Sequence, residues 1–214
     1  MPLHKGMFDN LITGKTTAAV PAGDLKVIAG LYRFCAISLR FPDLQWFTRD
    51  YLDTLYQLLT HMGGLDQKLI MEQAFAGPVL SLEELQIDYT RLFINGVPHV
   101  LAPPYASVYL DKSLQGQSAE HIMSYYHSKG FLKREGSELP DHIVSQLEFL
   151  AYLVERGDQA GEAHFLTQFF SPWFHSFLSR VVNESRHPFY RIIVQMVDYF
   201  TKEEEQHGVQ DIEA

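Results

Sequence analysis

Glu138, Asp141 and His142 lie within five residues of one another in the segment Glu138-Leu139-Pro140-Asp141-His142. Such a grouping could ligate a cation, or pair a carboxyl group with an imidazole for proton transfer. The rest of the sequence completes neither chemistry. It has no His-Glu-x-x-His, no Cys-x-x-Cys and no Glu-x-x-His repeated on two helices, although it holds 10 histidines. A helical metal-dependent hydrolase would need a His-Asp pair in the opposite order together with further ligands, which are missing. Nucleotide-binding glycine loops and the Gly-x-Ser-x-Gly elbow are absent as well. No catalytic, metal or cofactor residues are therefore expected, and the protein reads as a non-enzyme.

A second grouping suits binding better. Asp88-Tyr89-Thr90-Arg91-Leu92-Phe93 is followed by Ala102-Pro103-Pro104-Tyr105-Ala106-Ser107-Val108-Tyr109, an aromatic-rich helix joined to a double-proline loop. Proline fixes backbone geometry in advance, which lowers the entropy lost when such a loop forms one wall of a groove. The plainer alternative is that Phe93, Tyr105 and Tyr109 only pack the loop on the core. For Leu139-Pro140-Asp141-His142 the corresponding alternative is a helix cap beside a surface histidine.

The elements that must position these residues follow a helical period throughout. Leu25, Ile28, Leu31, Tyr32, Cys35 and Leu39 recur at three- and four-residue steps, with Asp24 as N-cap and Pro42 closing the segment. Phe47, Tyr51, Leu55, Leu58 and Met62 form the stripe of a second helix ended by Gly63-Gly64, and a third runs from Leu65 to Phe75, stopped by Gly77-Pro78. Ser81-Leu82-Glu83-Glu84 is a capping box that opens a fourth. From Asn95 to Tyr105 the prolines and Gly96 forbid a helix, and the apolar content of Val97, Val100, Leu101 and Ala102 favours an ordered loop.

Helices resume over Ser107–Leu110 as a short turn and over Ser118–Ser128, with Gly130 in a left-handed cap. Pro140 then sits at the first turn of an amphipathic helix carrying Ile143, Leu147, Leu150, Ala151 and Val154. Asp158 opens a helix through Phe169. Ser171-Pro172 and His187-Pro188 each read as a cap followed by a first-turn proline. No window has the alternation of a strand, and no repeat is visible. The expected fold is all-α, a single globular bundle of eight or nine helices. Residues 1–23 form a flexible leader, 24–206 the helical domain and 207–214 an acidic tail.

A net charge of −9, from 17 Lys plus Arg against 26 Asp plus Glu, argues against nucleic acid and favours a basic partner. Cys35, the single cysteine, can make no internal disulfide. No run of about 18 apolar residues suggests a membrane span, and the first 20 residues lack the apolar core of a secretory signal. The chain reads as cytoplasmic.

Taken together, the segments resemble the TorD/DmsD-type redox-enzyme maturation chaperones. The family pattern of an aromatic before Arg-Leu-Phe is met by Tyr89-Thr90-Arg91-Leu92-Phe93. The Pro-Pro-aromatic-x-Ser-Val element is met by Pro103-Pro104-Tyr105-Ala106-Ser107-Val108, and the Asp-His element by Leu139-Pro140-Asp141-His142, where Pro140 directly precedes Asp141. Ser171-Pro172-Trp173-Phe174 and His187-Pro188-Phe189-Tyr190 also look familial.

The resemblance implies a cytoplasmic chaperone that binds the twin-arginine signal peptide of a molybdenum-containing oxidoreductase. It would retain the precursor until its cofactor is inserted. Tyr89, Phe93, Tyr105, Ser107, Tyr109, Gly130, Asp141 and His142 match the family's peptide-binding region. The same motifs also fit an assembly factor that binds the body of the oxidoreductase instead. On the first reading the apolar part of the signal lies in a groove lined by Tyr89, Phe93, Tyr105 and Tyr109, with Asp88, Asp111, Glu138 or Asp141 facing its arginines. Four such side chains buried at roughly 1.5 to 3 kcal/mol each would contribute about 6 to 12 kcal/mol. Ordering the peptide would cost roughly 2 to 5 kcal/mol. The balance corresponds to affinity of about micromolar.

Overall fold

The computed structural model describes residues 22–76, 82–97, 99–133, 136 and 138–212, without the side chains of 22–24 and 203–212. Among them the α-segments are α1 (Ala22–Ser38), α2 (Arg49–His61), α3 (Leu65–Ala74), α4 (Leu82–Tyr89), α5 (Ala106–Leu110), α6 (Gln117–Ser128), α7 (Ile143–Glu155), α8 (Gln159–Phe165), α9 (Ser171–Glu184) and α10 (Pro188–Ile212). Two π-helical turns, Thr90–Ile94 and Leu166–Phe170, prolong α4 and join α8 to α9, leaving nine continuous rods among the described residues. The all-helical bundle is thus as expected. Residues 1–21 of the leader expected over 1–23, the Ser81 cap and the Gly77-Pro78 stop lie outside the described residues; Ala22 and Gly23 already belong to α1, so Asp24 lies inside that helix and is not its N-cap.

The centre of the bundle is α7. Ile143, Val144, Leu147, Phe149, Leu150, Ala151, Leu153 and Val154 are all buried, so this helix is apolar on nearly every side and not along one stripe. Helix α1 lies antiparallel along it. Its own stripe of Tyr32, Cys35, Ala36 and Leu39 is buried, and the rim is tied by Arg33 to Glu155 and Arg40 to Glu148. These ion pairs are largely exposed and each contributes at most about 1 kcal/mol. Trp173, Phe174 and Phe177 of α9 and Phe189, Tyr190 and Ile193 of α10 complete the core.

Two boundaries depart from the periodicity for identifiable reasons. Pro140 does not enter α7. The backbone of Asp141 and His142 is occupied instead by an isolated antiparallel bridge to Tyr105: the Ala106 amide donates to the Asp141 carbonyl and the Ile143 amide to the Pro104 carbonyl. The helix therefore begins only at Ile143. Ser171-Pro172 does not begin a separate rod either. The Leu166–Phe170 π turn carries the chain straight through it, with the Ser171 amide donating to the Leu166 carbonyl. His187-Pro188, by contrast, is a true start. The His187 Nδ1 accepts the Phe189 amide at 3.2 Å.

Candidate functional site

The double-proline loop and the Asp-His turn form one clasp. Asp141 is fully buried, and its Oδ2 accepts the Ser107 amide at 3.0 Å and the Ser107 hydroxyl at 2.6 Å. His142, also buried, caps α7 by accepting the Val144 amide at its Nδ1, 3.2 Å away. The Tyr105 ring stands edge-on to the imidazole, 5.0 Å between centroids. Tyr126 donates its hydroxyl hydrogen to the Pro140 carbonyl from below. Burial pushes the His142 pKa down to about 3, with Lys133 and Arg40 acting in the same direction. The imidazole is thus a neutral structural acceptor.

This clasp extends inward. Gln146 donates from Nε2 to the Asp141 carbonyl at 2.8 Å and accepts the Trp173 indole N–H at 3.3 Å. Trp173 in turn packs on Tyr109, 5.6 Å between rings. A second tie holds the other motif pair. Asp88 accepts from Arg91 through Oδ1, and from the backbone amides of Arg186 and His187 through Oδ2, at 3.1 and 3.0 Å. Tyr89 and Phe93 pack on each other and on Tyr190. The segments singled out in the sequence are therefore each other's internal partners.

That arrangement changes the expected groove. Tyr89, Phe93 and Tyr109 are closed into the core through Tyr190 and Phe177, with 6%, 6% and 9% exposure, because each ring has an aromatic neighbour. Ser107, Asp141 and His142 are the buried clasp itself. Gly130 stands apart, at φ +74° beyond the end of α6, where the Phe131 amide turns back to the Tyr126 carbonyl. Of the acids expected to face arginines, Asp88 and Asp141 are engaged internally, and Asp111 accepts both the amide and the hydroxyl of Ser118 at the start of α6. Glu138 remains exposed.

What reaches the surface is a rim. Tyr105 is half-buried, and its phenol is pushed upward by burial and then by the charges of Glu138 and Asp141. Phe41, on the loop after α1, is exposed and stands edge-on to Tyr89 at 5.4 Å. Lys133 donates to the Glu138 carbonyl and to Ser145, and burial lowers its pKa to about 8. In the sequence Phe41 is only an apolar residue before Pro42. Its one signal is that it falls off the core stripe of α1. Among the described residues, no group of three or more His, Cys, Asp and Glu is placed to hold a metal ion.

The architecture is that of an all-helical protein whose signature residues serve as internal ties. A family profile described as nitrate reductase delta subunit matches residues 49–179, and the chain belongs to that family, which takes in the TorD-type redox-enzyme maturation chaperones. A chaperone protein TorD from Actinobacillus succinogenes is 33% identical over 182 residues, 81% of this chain and 92% of that protein. TorD proteins from Shewanella sp. and Shewanella pealeana are 29% and 28% identical, over 59% and 63% of this chain. The matches span 64% and 65% of those two relatives, just under two thirds. Among solved structures, an Archaeoglobus fulgidus protein assigned to redox enzyme maturation superimposes with a TM-score of 0.55 at 25% identity, covering 84% of this chain and 92% of that one. Among the described residues, no helix is long and apolar enough to cross a membrane.

Proposed function

We propose that this protein is a cytoplasmic chaperone that binds the twin-arginine signal peptide of a molybdenum-containing oxidoreductase and holds the precursor until cofactor insertion and folding are complete. The observation that carries this reading is a surface rim in which exposed Phe41 stands on Tyr89, and half-buried Tyr105, beside the Glu138 charge, belongs to the clasp that joins the family's motifs. Phe41 and Tyr105 offer apolar faces to the signal, and Glu138 offers a carboxylate to its arginines. Ser107, Asp141 and His142 position Tyr105, and Tyr89 supports Phe41. Phe93, Tyr109 and Gly130 keep the surrounding frame. The binding-region residues thus act mainly by holding the surface in one shape, which reduces the ordering cost of complex formation.

A calorimetric titration with a synthetic peptide bearing an arginine pair before an apolar run tests this. Saturable binding at micromolar concentration is expected, weakened about tenfold by Tyr105→Ala, which corresponds to about 1.4 kcal/mol. Glu138→Gln is expected to weaken binding and to flatten its salt dependence. An affinity unchanged in both variants removes the rim from the mechanism. A precursor captured equally well after deletion of its signal would favour the assembly-factor reading instead.

The rim alone is energetically short. With Tyr89, Phe93 and Tyr109 already inside the core, only the remaining exposed parts of Phe41 and Tyr105 can be covered, roughly 1 to 4 kcal/mol in gross terms. Micromolar affinity requires about 8 kcal/mol net. More apolar surface must take part.

A further inference from the structure

Helix α4 and the π turn that prolongs it expose an apolar run on the side away from the core. Ile87 and Ile94, seven residues apart, are 57% and 55% exposed, and Val97 just beyond them is 93% exposed. Neither isoleucine belongs to the stripe of Leu85, Tyr89, Leu92 and Phe93 that faces inward. Beside them lies a shallow depression of about 450 Å³ lined by Glu83, Gln86, Ile87, Thr90, Arg91 and Asn95.

The charges around this depression select the sign of its occupant. Arg91 is committed to the Asp88 carboxylate and to the Glu184 carbonyl. Glu83 and Glu84, in the first turn of α4, are both exposed. The exposed charges that α4 itself carries are both negative, so this face of the helix favours a cationic chain over an acidic one. The depression is also continuous with the rim. Gln86, one of its lining residues, donates to the Pro42 carbonyl at 2.8 Å, and Phe41, the residue before Pro42, rests on Tyr89 of the same helix. From Glu83 to Ile94 the run is about 16 Å long at 1.5 Å per helical residue. That length matches roughly five extended residues or three helical turns of a bound peptide.

We propose that the outer face of α4 and its π turn is the second half of the peptide-docking track. It seats the apolar run of a basic signal segment on Ile87, Ile94 and Val97, beside the carboxylates of Glu83 and Glu84. The proposal rests on the signal-binding reading above and supplies the apolar surface that the rim lacks.

The test titrates the full chain and two double variants with the same arginine-pair peptide. Ile87→Ser with Ile94→Ser removes apolar surface at exposed positions, so helicity and melting temperature should be retained. Its affinity should fall at least about tenfold. Glu83→Gln with Glu84→Gln should lower affinity about threefold at low salt and reduce the salt dependence. If the wild-type chain binds the peptide and both double variants bind it equally well, the α4 track is wrong while the signal-binding reading survives. If the wild-type chain does not bind, the signal-binding reading fails and takes this proposal with it. If the isoleucine variant instead abolishes a concentration-dependent dimer without changing peptide affinity, the face is a self-interface and the proposal is overturned.

Discussion

Asp88→Ala should unfold this protein more readily than any surface substitution. The carboxylate is 3% exposed and answers four donors: Arg91 Nε and Nη2, and the amides of Arg186 and His187 at the corner between α9 and α10. Truncation leaves a guanidinium only 17% exposed without its counter-charge, and two amides without an acceptor. Breaking a buried pair from one side costs about 3 to 5 kcal/mol. For a chain of this size each kcal/mol lowers Tm by about 2 to 4 °C. Thermal unfolding followed by circular dichroism should therefore show a fall of roughly 6 to 20 °C. The double variant Asp88→Ala, Arg91→Ala should recover part of it, since the stranded charge is gone. A single-variant loss below about 1 kcal/mol would show that the corner is held by packing and that the Asp88 tie is incidental.

Acid should destabilise the fold through the two capping histidines. The His142 pKa is lowered from 6.5 to about 3 by burial, and that of His187 is lowered for the same reason. In each, Nδ1 accepts a backbone amide, so protonation there would remove the lone pair that caps the helix. Above pH 6.5 both the folded and unfolded chains hold these imidazoles neutral, and the full stability is present. As pH falls below 6.5 the unfolded chain takes up protons that the folded chain refuses, and stability is lost, for His142 down to its folded value near 3. For His142 the slope is about 1.4 kcal/mol per pH unit, or about 2 kcal/mol between pH 6.5 and 5. Urea unfolding at pH 7 and pH 5 measures this. His142→Asn, which keeps an acceptor but cannot titrate, should reduce the slope to the share left by His187. An unchanged slope in that variant would mean that His142 is not the group responsible.

The sequence made the helices legible because their inward stripes are long and regular. Tyr32, Cys35 and Leu39, or Leu147, Leu150 and Val154, repeat at helical spacing and are buried. Gly63, Gly130 and Gly157 stand in the left-handed region at the helix ends where the pattern stopped, and Asp158 caps α8 by accepting the Gly161 amide. The two π turns were invisible because an extra residue in one turn leaves Leu92 and Phe93, or Leu166 and Phe170, facing the core as an ordinary helix would. The start of α7 lies beyond the Pro140 turn that the sequence suggests, because Pro140 carries no information about the remote bridge from His142 to Tyr105, a tertiary contact across 37 residues.

The site was half legible for the same reason. The family resemblance grouped Ser107, Asp141 and His142, and in the fold Ser107 bonds Asp141 while His142 bridges to Tyr105. Whether an aromatic faces water or another ring depends on partners far along the chain. Tyr89 meets Tyr190 and Phe93 meets Phe177, so the expected open groove is a packed core with a rim. Ile87 and Ile94 had a signal that could be read, since they fall off the inward stripe of their own helix.

Amide hydrogen exchange on the full chain, with and without a saturating arginine-pair peptide, measures most directly where a signal segment sits. Slowed exchange should be confined to residues 83–97, to the Phe41 loop and to the Tyr105 clasp, with α2 and α3 unchanged. Protection confined to other helices, or none at all under saturating peptide, would contradict the placement of the binding surface and leave family membership as the sole support for the function.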